Sequence, residues 1–199
     1  MRFRFYFPAI PHDRLLALLA RRCKGGVLDL IAWLLERHHD SPGRGLPIGA
    51  LTSQHFANQY LGEADRFALA LPACAGHLRY MDDIVLWCRS RTDARTLHDA
   101  LRGFCAERLR LTLKPPVLMP SDQGLGLCGM RVYPGAIKLG LRRRRALRQR
   151  RRHWEVQWQQ GQIDSGTLQR AYDSLHGMTL PANSLAWRRA ALAQRPAPD

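Results

Sequence analysis

Leu78-Arg79-Tyr80-Met81-Asp82-Asp83-Ile84-Val85-Leu86-Trp87-Cys88 sets two short apolar flanks around an acidic pair. The flanks predict a β-hairpin over 78–88 with both carboxylates at its tip. Consecutive residues of a straight strand point to opposite faces, so Asp82 and Asp83 can serve one site only where a turn redirects them. At a turn, one carboxylate can ligate Mg²⁺ while the other stays within reach, because Mg²⁺ takes one or two protein carboxylates plus phosphate oxygens. Taken alone, an Asp-Asp pair at a turn is far more often ordinary solvated turn chemistry.

Upstream, Phe3 to Phe7 (FRFYF) alternates aromatics with Arg4 and predicts a strand, stopped by Pro8 and Pro11. Helical spacing of apolar residues predicts helices from Asp13 to Arg22 and from Val27 to Glu36, parted by Gly25-Gly26. Residues 38–44 read as a loop. GLPIGALTSQ (45–54) is too rich in Gly and Pro to be helical until Thr52 or Ser53 caps a third helix bearing Phe56, Tyr60, Ala64 and Phe67.

Downstream come a helix from Asp93 to Arg108, a strand from Arg110 to Lys114 ended by Pro115-Pro116, and a second hairpin within 126–140 turning at Pro134-Gly135. That order predicts an α+β protein with a split βαβ layout, helices over one face of an antiparallel sheet. After Gly140 the composition switches to LRRRRALRQRRRHW, which marks a domain boundary. Helices near 141–160, 164–176 and 183–193 then make an all-α basic domain over 141–195, with 196–199 a disordered tail.

The 199 residues hold 31 Lys and Arg against 16 Asp and Glu, a formal charge of +15. Such a chain attracts a polyanion and releases its counterions on binding, so nucleic acid is the first candidate partner. An anionic membrane surface or a merely solvated basic face would give the same count. Cysteines 23, 74, 88, 105 and 128 form no C-x-x-C pair and are odd in number, which argues for reduced core thiols. No stretch approaches the ~18 apolar residues of a membrane span. The first residues resemble neither a signal peptide nor a transit sequence, so a cytoplasmic location is expected.

Tyr80-Met81-Asp82-Asp83 between apolar strands is similar to the Y-x-D-D signature of reverse transcriptases. Gly45 to Gln54 resembles the loop and helix start that pack against the templating base and incoming nucleotide in that family. Its Ile48, Gly49, Ser53 and Gln54 are similar to the form found in diversity-generating retroelements. Gly49 lets backbone approach a base pair, and a helix start near Ser53 offers N–H donors to phosphate, although a structural turn explains the same residues.

Leu111 to Pro115 looks like the strand whose lysine, here Lys114, approaches the leaving pyrophosphate; a surface cation is the plainer alternative. Leu127 to Val132, with Cys128, Gly129 and Met130, resembles the primer-gripping hairpin. The C-terminal pattern of Arg-rich helix, Gly161-Gln162-Ile163, helix, Leu175-His176-Gly177 and Ala182-Asn183-Ser184 before Arg188-Arg189 is similar to the helical thumb of bacterial retron, group II intron and retroelement enzymes. There Arg142, Arg143, Arg144, Arg145, Arg148 and Arg151 are expected on duplex phosphates, which position a duplex without reading it.

The resemblance implies an RNA-directed DNA polymerase, with a palm over 1–140 and a thumb over 141–195. Its chemistry would be two-metal nucleotidyl transfer by Mg²⁺, or Mn²⁺, at Asp82 and Asp83, the ions about 4 Å apart. Phe7, Ile48, Gly49, Ser53, Gln54, Tyr80 and Met81 would shape the nucleotide and template pocket. Template RNA, a primer duplex, dNTPs and a small basic accessory variability protein are the implied partners, with no membrane. Adenine-templated errors in the cDNA would diversify a target gene.

One departure stands out. The family's first palm strand reads roughly Asp-Ile-x-x-Tyr-Phe-Pro-Ser-Ile-Asp-His; aligning Tyr6 to His12 with it puts Arg2 at the metal-binding Asp and Pro11 at the second Asp. The fingers are absent as well. Losing one such ligand costs on the order of 10³-fold in rate, so little polymerase activity is expected of this polypeptide alone. A misassigned start, a decayed gene or a separately made subunit would each explain such a truncation. A retron or group II intron enzyme, and a non-catalytic RNA-binding remnant, are the alternative readings.

Overall fold

The acidic hairpin forms around a two-residue turn. Strands β1 (Gly76–Tyr80) and β2 (Asp83–Trp87) pair antiparallel with Tyr80 opposite Asp83, leaving Met81 and Asp82 between them. Met81 sits in the left-handed region at φ 55°, a conformation that costs a non-glycine residue energy and that turns of this length demand. The computed structural model that shows this describes residues 1–4, 6–37, 41–47 and 49–197. It is α+β, and it divides into two units, Met1–Leu118 and Met119–Asp199.

In the first unit, single antiparallel bridges carry the hairpin outward: Arg2 pairs with Asp83, and Phe3 pairs with Leu113. Backbone bonds from Ile84 N to Met1 O, Arg4 N to Thr112 O and Lys114 N to Arg2 O hold these two extended segments in register. The N-terminal strand expected over 3–7 stops early, because Tyr6–Ala9 coils into a short helix, α1. Pro8 fits there, since the first turn of a helix needs no N–H donor. Likewise the strand expected at 110–114 is reduced to the pairing around Leu113.

Helices α2 (His12–Leu19), α3 (Gly26–Arg37), α4 (Leu51–Ala70) and α5 (Arg91–Arg108) surround this sheet's inner face. Phe3, Ile84, Leu111 and Leu113 point inward to Leu15, Tyr60, Leu61, Leu101 and Cys105, all buried. Each apolar side chain so buried contributes roughly 1.5–3 kcal/mol relative to exposure. Phe67 of α4 stacks on Phe104 of α5 with centroids 4.2 Å apart. Buried Tyr60 donates from its hydroxyl to Leu109 O at 2.7 Å, which satisfies the phenol. Ser90 caps α5 by accepting from Asp93 N.

In the second unit, β3 (Leu125–Leu127), β4 (Met130–Tyr133) and β5 (Ala136–Leu139) make an antiparallel meander. The expected turn at Pro134-Gly135 is present, with Gly135 at φ 71°. Strand β3 was not expected; it adds a second turn at Cys128 and Gly129, both at positive φ as a type I′ turn requires. Helices α6 (Leu141–Gln159), α7 (Ser165–Gly177) and α8 (Leu185–Gln194) follow close to the predicted spans. The meander therefore groups with the helices, and the division falls at Leu118 rather than at the compositional change after Gly140.

Candidate functional site

Arg2 sits on the acidic tip. Its Nε donates to Asp83 Oδ1 at 2.5 Å, a second guanidinium nitrogen donates to Asp83 Oδ2, and Nε lies 3.9 Å from Asp82 Oδ2. The backbone bridge between Arg2 and Asp83 delivers this fork, because directly paired antiparallel residues share a face. The hydrogen-bonded Asp83 carboxylate, together with its charge, raises the Arg2 guanidinium above its ordinary value.

From behind, Arg79 of β1 holds the turn to α4. Its Nε lies 2.9 Å from each oxygen of Asp65, and its Nη1 donates to Asn58 Oδ1 at 2.9 Å and to Met81 O at 3.1 Å. His77 Nε2 lies 3.0 Å from Asp65 Oδ1, off the hydrogen-bonding direction, and so acts as a neighbour of that charge. The strained Met81 backbone is thus tied down by a planar fork, which binds in one orientation.

A divalent ion at this tip would need the lone pairs that Arg2 occupies. Both Asp83 oxygens already accept from the guanidinium, and a fixed positive charge about 4 Å from Asp82 repels a cation. Among the described residues, no group of three or more His, Cys, Asp or Glu side chains comes together. As arranged, the residues do not fit Mg²⁺ or Mn²⁺.

The outer face of the sheet is open. Tyr80, Asp83, Arg2 and Lys114 lie directly across from one another in one row, with Arg4 and Thr112 beside it. Tyr80 is 60% exposed, and Arg2, Arg4 and Lys114 are exposed too. Leu78, Val85 and Trp87 continue that face along the hairpin. Sequence reasoning assigned Lys114 and Tyr80 singly and missed that they flank the Asp83–Arg2 pair; the signal was alternation, since Phe3 and Leu113 must face the core.

Part of the upstream loop lies against the segment that carries Phe7. Leu46 N donates to Phe7 O at 3.1 Å and Gly45 N to Ile10 O at 3.0 Å, so Phe7 and the loop are neighbours. Phe7 packs half-buried with its ring edge-on to Tyr6. Gly49 takes φ 96°, with open space where a Cβ would stand. Ile48 lies outside the described residues. Neither Thr52 nor Ser53 caps α4: the cap position is Ala50, without a side-chain bond. Ser53 is instead buried inside the first turn with its Oγ unpartnered, whereas Gln54 is exposed.

In the second unit the six arginines assigned to phosphate separate into two sets. Arg143 donates to Met178 O and Cys128 O, and Arg144 buries an unpartnered Nε. Arg151 forms an ion pair with Glu155 at 2.6 Å and donates to Arg195 O and Pro196 O. Arg143 and Arg151 thus knit the fold through these bonds, and Arg144 is half-buried beside them. Arg148 remains exposed over the Trp187 ring, with 5.8 Å from its Cζ to the centroid. Arg142, Arg145 and Arg152 are exposed on one side of α6 with Gln149 between them and His153 next to Arg152. Cys128 and Gly129 are exposed in their turn, and Met130 is half-buried.

Glu155, 1% exposed, centres the helical network by accepting from Arg151 and from the Tyr172 hydroxyl at 2.8 Å. Arg195 Nε stands 2.7 Å from its second oxygen, out of line for a hydrogen bond and so acting as a charge neighbour.

No family model and no curated protein matches the chain. Among the described residues, no helix is long and apolar enough to cross a membrane.

Proposed function

We propose that the chain is the palm and thumb portion of an RNA-directed DNA polymerase of the diversity-generating retroelement type, acting here to hold template RNA and primer duplex. The observation carrying this reading is the tip itself: a Tyr-Met-Asp-Asp turn on an antiparallel sheet, backed by α4 and α5 and followed in the chain by a basic helix. The stripe of Arg142, Arg145 and Arg152 on α6 suits the phosphates of a duplex, which such contacts position without regard to base sequence.

Polymerization by this chain alone is not part of the proposal, because Arg2 neutralises the carboxylates that would hold the ions. Primer extension on primed RNA should not exceed that of Asp82→Ala. Binding to an RNA–DNA hybrid should be tighter than to duplex DNA, and should weaken at least tenfold when Arg142, Arg145 and Arg152 are changed together to Glu. Equal affinity for both duplexes, or indifference to that triple change, would reject the reading. The Arg2–Asp83 pair also favours a second reading, an RNA-binding module with no polymerase role; hybrid preference distinguishes the two.

A further inference from the structure

We propose that the open row Tyr80–Asp83–Arg2–Lys114, with Arg4 beside it, binds single-stranded nucleic acid without any divalent ion, the Arg2 guanidinium taking the place of the metal. The inference rests on the preceding reading for its ligand class alone. Its geometry stands separately.

The charge at the row supports it. Two carboxylates, Asp82 and Asp83, would repel a phosphodiester laid across the sheet, and in a metal-dependent site the ions remove that repulsion. Here Arg2 removes it from within the chain, since its fork occupies both Asp83 oxygens and its charge lies close to Asp82. Arg4 and Lys114 stand next to it on the same face, so three cations answer two carboxylates and the row is net positive. An anionic strand is complementary to that balance.

Shape and surface composition point to an unpaired strand. Tyr80, 60% exposed, and Trp87, 38% exposed, lie on the outer face of the sheet, opposite the buried Phe3, Ile84 and Leu113. Exposed aromatics interleaved with cations make a stacking platform, because every base offers a π-face and its phosphate seeks a cation. Trp87 packs across Gly76, with its ring 3.4 Å from where a Cβ would be. Lys114 and Arg4 are exposed, so both can turn toward phosphate without disturbing the core, while Arg2 stays on Asp83.

The roles of the row then divide. Tyr80 stacks a base, Lys114 and Arg4 take phosphates, and Arg2 screens the carboxylates. Removing Arg2 should not abolish binding; it should make binding depend on an added ion, since Mg²⁺ can then reach Asp82 and Asp83.

The test uses the full chain and a short fluorescein-labelled single-stranded RNA, with anisotropy read in EDTA and in Mg²⁺, and with Mn²⁺ binding followed by electron paramagnetic resonance. For the native protein, the expected RNA affinity is the same in EDTA and in Mg²⁺, with no saturable Mn²⁺ site. Tyr80→Ala should weaken binding about tenfold, and Lys114→Ala severalfold. Arg2→Ala should bind RNA poorly in EDTA, recover in Mg²⁺, and acquire one Mn²⁺ site that Asp83→Asn removes.

A saturable Mn²⁺ site in the native protein, or native binding lost in EDTA, would overturn the inference. So would an Arg2→Ala protein indifferent to ions. RNA binding that ignores Tyr80 and Lys114 but needs the α6 arginines would sink this inference and leave the broader reading intact, whereas no binding to any nucleic acid would sink both.

Discussion

Arg79 on β1 and Asp65 on α4 meet through three nitrogen–oxygen contacts of 2.8 to 2.9 Å, and the same guanidinium reaches Met81 O in the turn. One side chain therefore couples a helix to a strained hairpin tip. Arg79→Ala leaves Asp65 half-buried without its main partner, and the urea midpoint should fall by the equivalent of about 2 kcal/mol. Arg79→Lys should recover only part of that, because a lysine has no fork. An unchanged midpoint in the alanine variant would remove the clamp from the account.

Glu155 is the corresponding centre of the helical unit. Replacing it with Ala strands Arg151 among Tyr172 and the Arg195 and Pro196 carbonyls, and removing one partner of a buried pair costs about 3–5 kcal/mol. Tyr172→Phe removes a single hydrogen bond and should cost about 1 kcal/mol. Thermal melts of the two variants should separate in that order; equal losses would mean the network does not centre on the carboxylate.

Ser53 offers the opposite sign. Its hydroxyl is buried and unpartnered in the first turn of α4, so Ser53→Ala should keep stability unchanged or raise it by up to about 1 kcal/mol. A clear loss in a denaturant titration would show that the hydroxyl has a partner after all.

The thiols should react in order of exposure. Burial pushes Cys105 up to about 12, whereas Cys128 is exposed in its turn. Iodoacetamide at pH 8, read by peptide mass, should label Cys128 first and Cys105 only on unfolding. A thiol whose folded value is raised favours the fold below its ordinary value of 9.0, and this contribution is lost as pH climbs from there toward 12. Early labelling of Cys105 would contradict its burial.

Acid should act at α7. Asp164 accepts from Thr167 N at 2.6 Å, and hydrogen bonds from Thr167 hold its carboxyl below the usual range. A depressed folded value favours the fold above the ordinary 3.8 and is lost as pH falls through the lower one. Asp164→Asn should flatten the acid limb of the helical signal below pH 4; an unaltered limb would place the acid sensitivity elsewhere.

Much of this architecture was legible because it is local. The 78–88 hairpin, α5 and α6 follow from alternation, helical spacing and caps over a few residues. What escaped depends on distant partners. Tyr6 and Phe7 read as the end of a strand over 3–7 from its aromatics, yet Tyr6 is buried with its hydroxyl donating to Ala57 O, and tertiary burial outweighs strand preference there. Ser53 read as a cap because Gly49 and Ala50 carry no sign that the helix begins at Leu51. The candidate site was legible as a pair of carboxylates, and Arg2 as an intruder in a family pattern. Its bidentate seat on Asp83 was not, since that takes a bridge across 81 residues of separation.

The two sets of arginine on α6 make foldability and surface potential independently adjustable. Reversing charge at Arg142, Arg145 and Arg152 breaks no side-chain hydrogen bond or ion pair among the described residues, so it can move the isoelectric point and lower the salt dependence of binding, by about 0.9 in logarithmic slope per phosphate released, while the melting temperature stays put. Reversal at Arg143 or Arg151 should do the reverse, unmaking the fold before it alters any ligand. A basic run that looks uniform in composition is, physically, a scaffold and a handle wound on one helix.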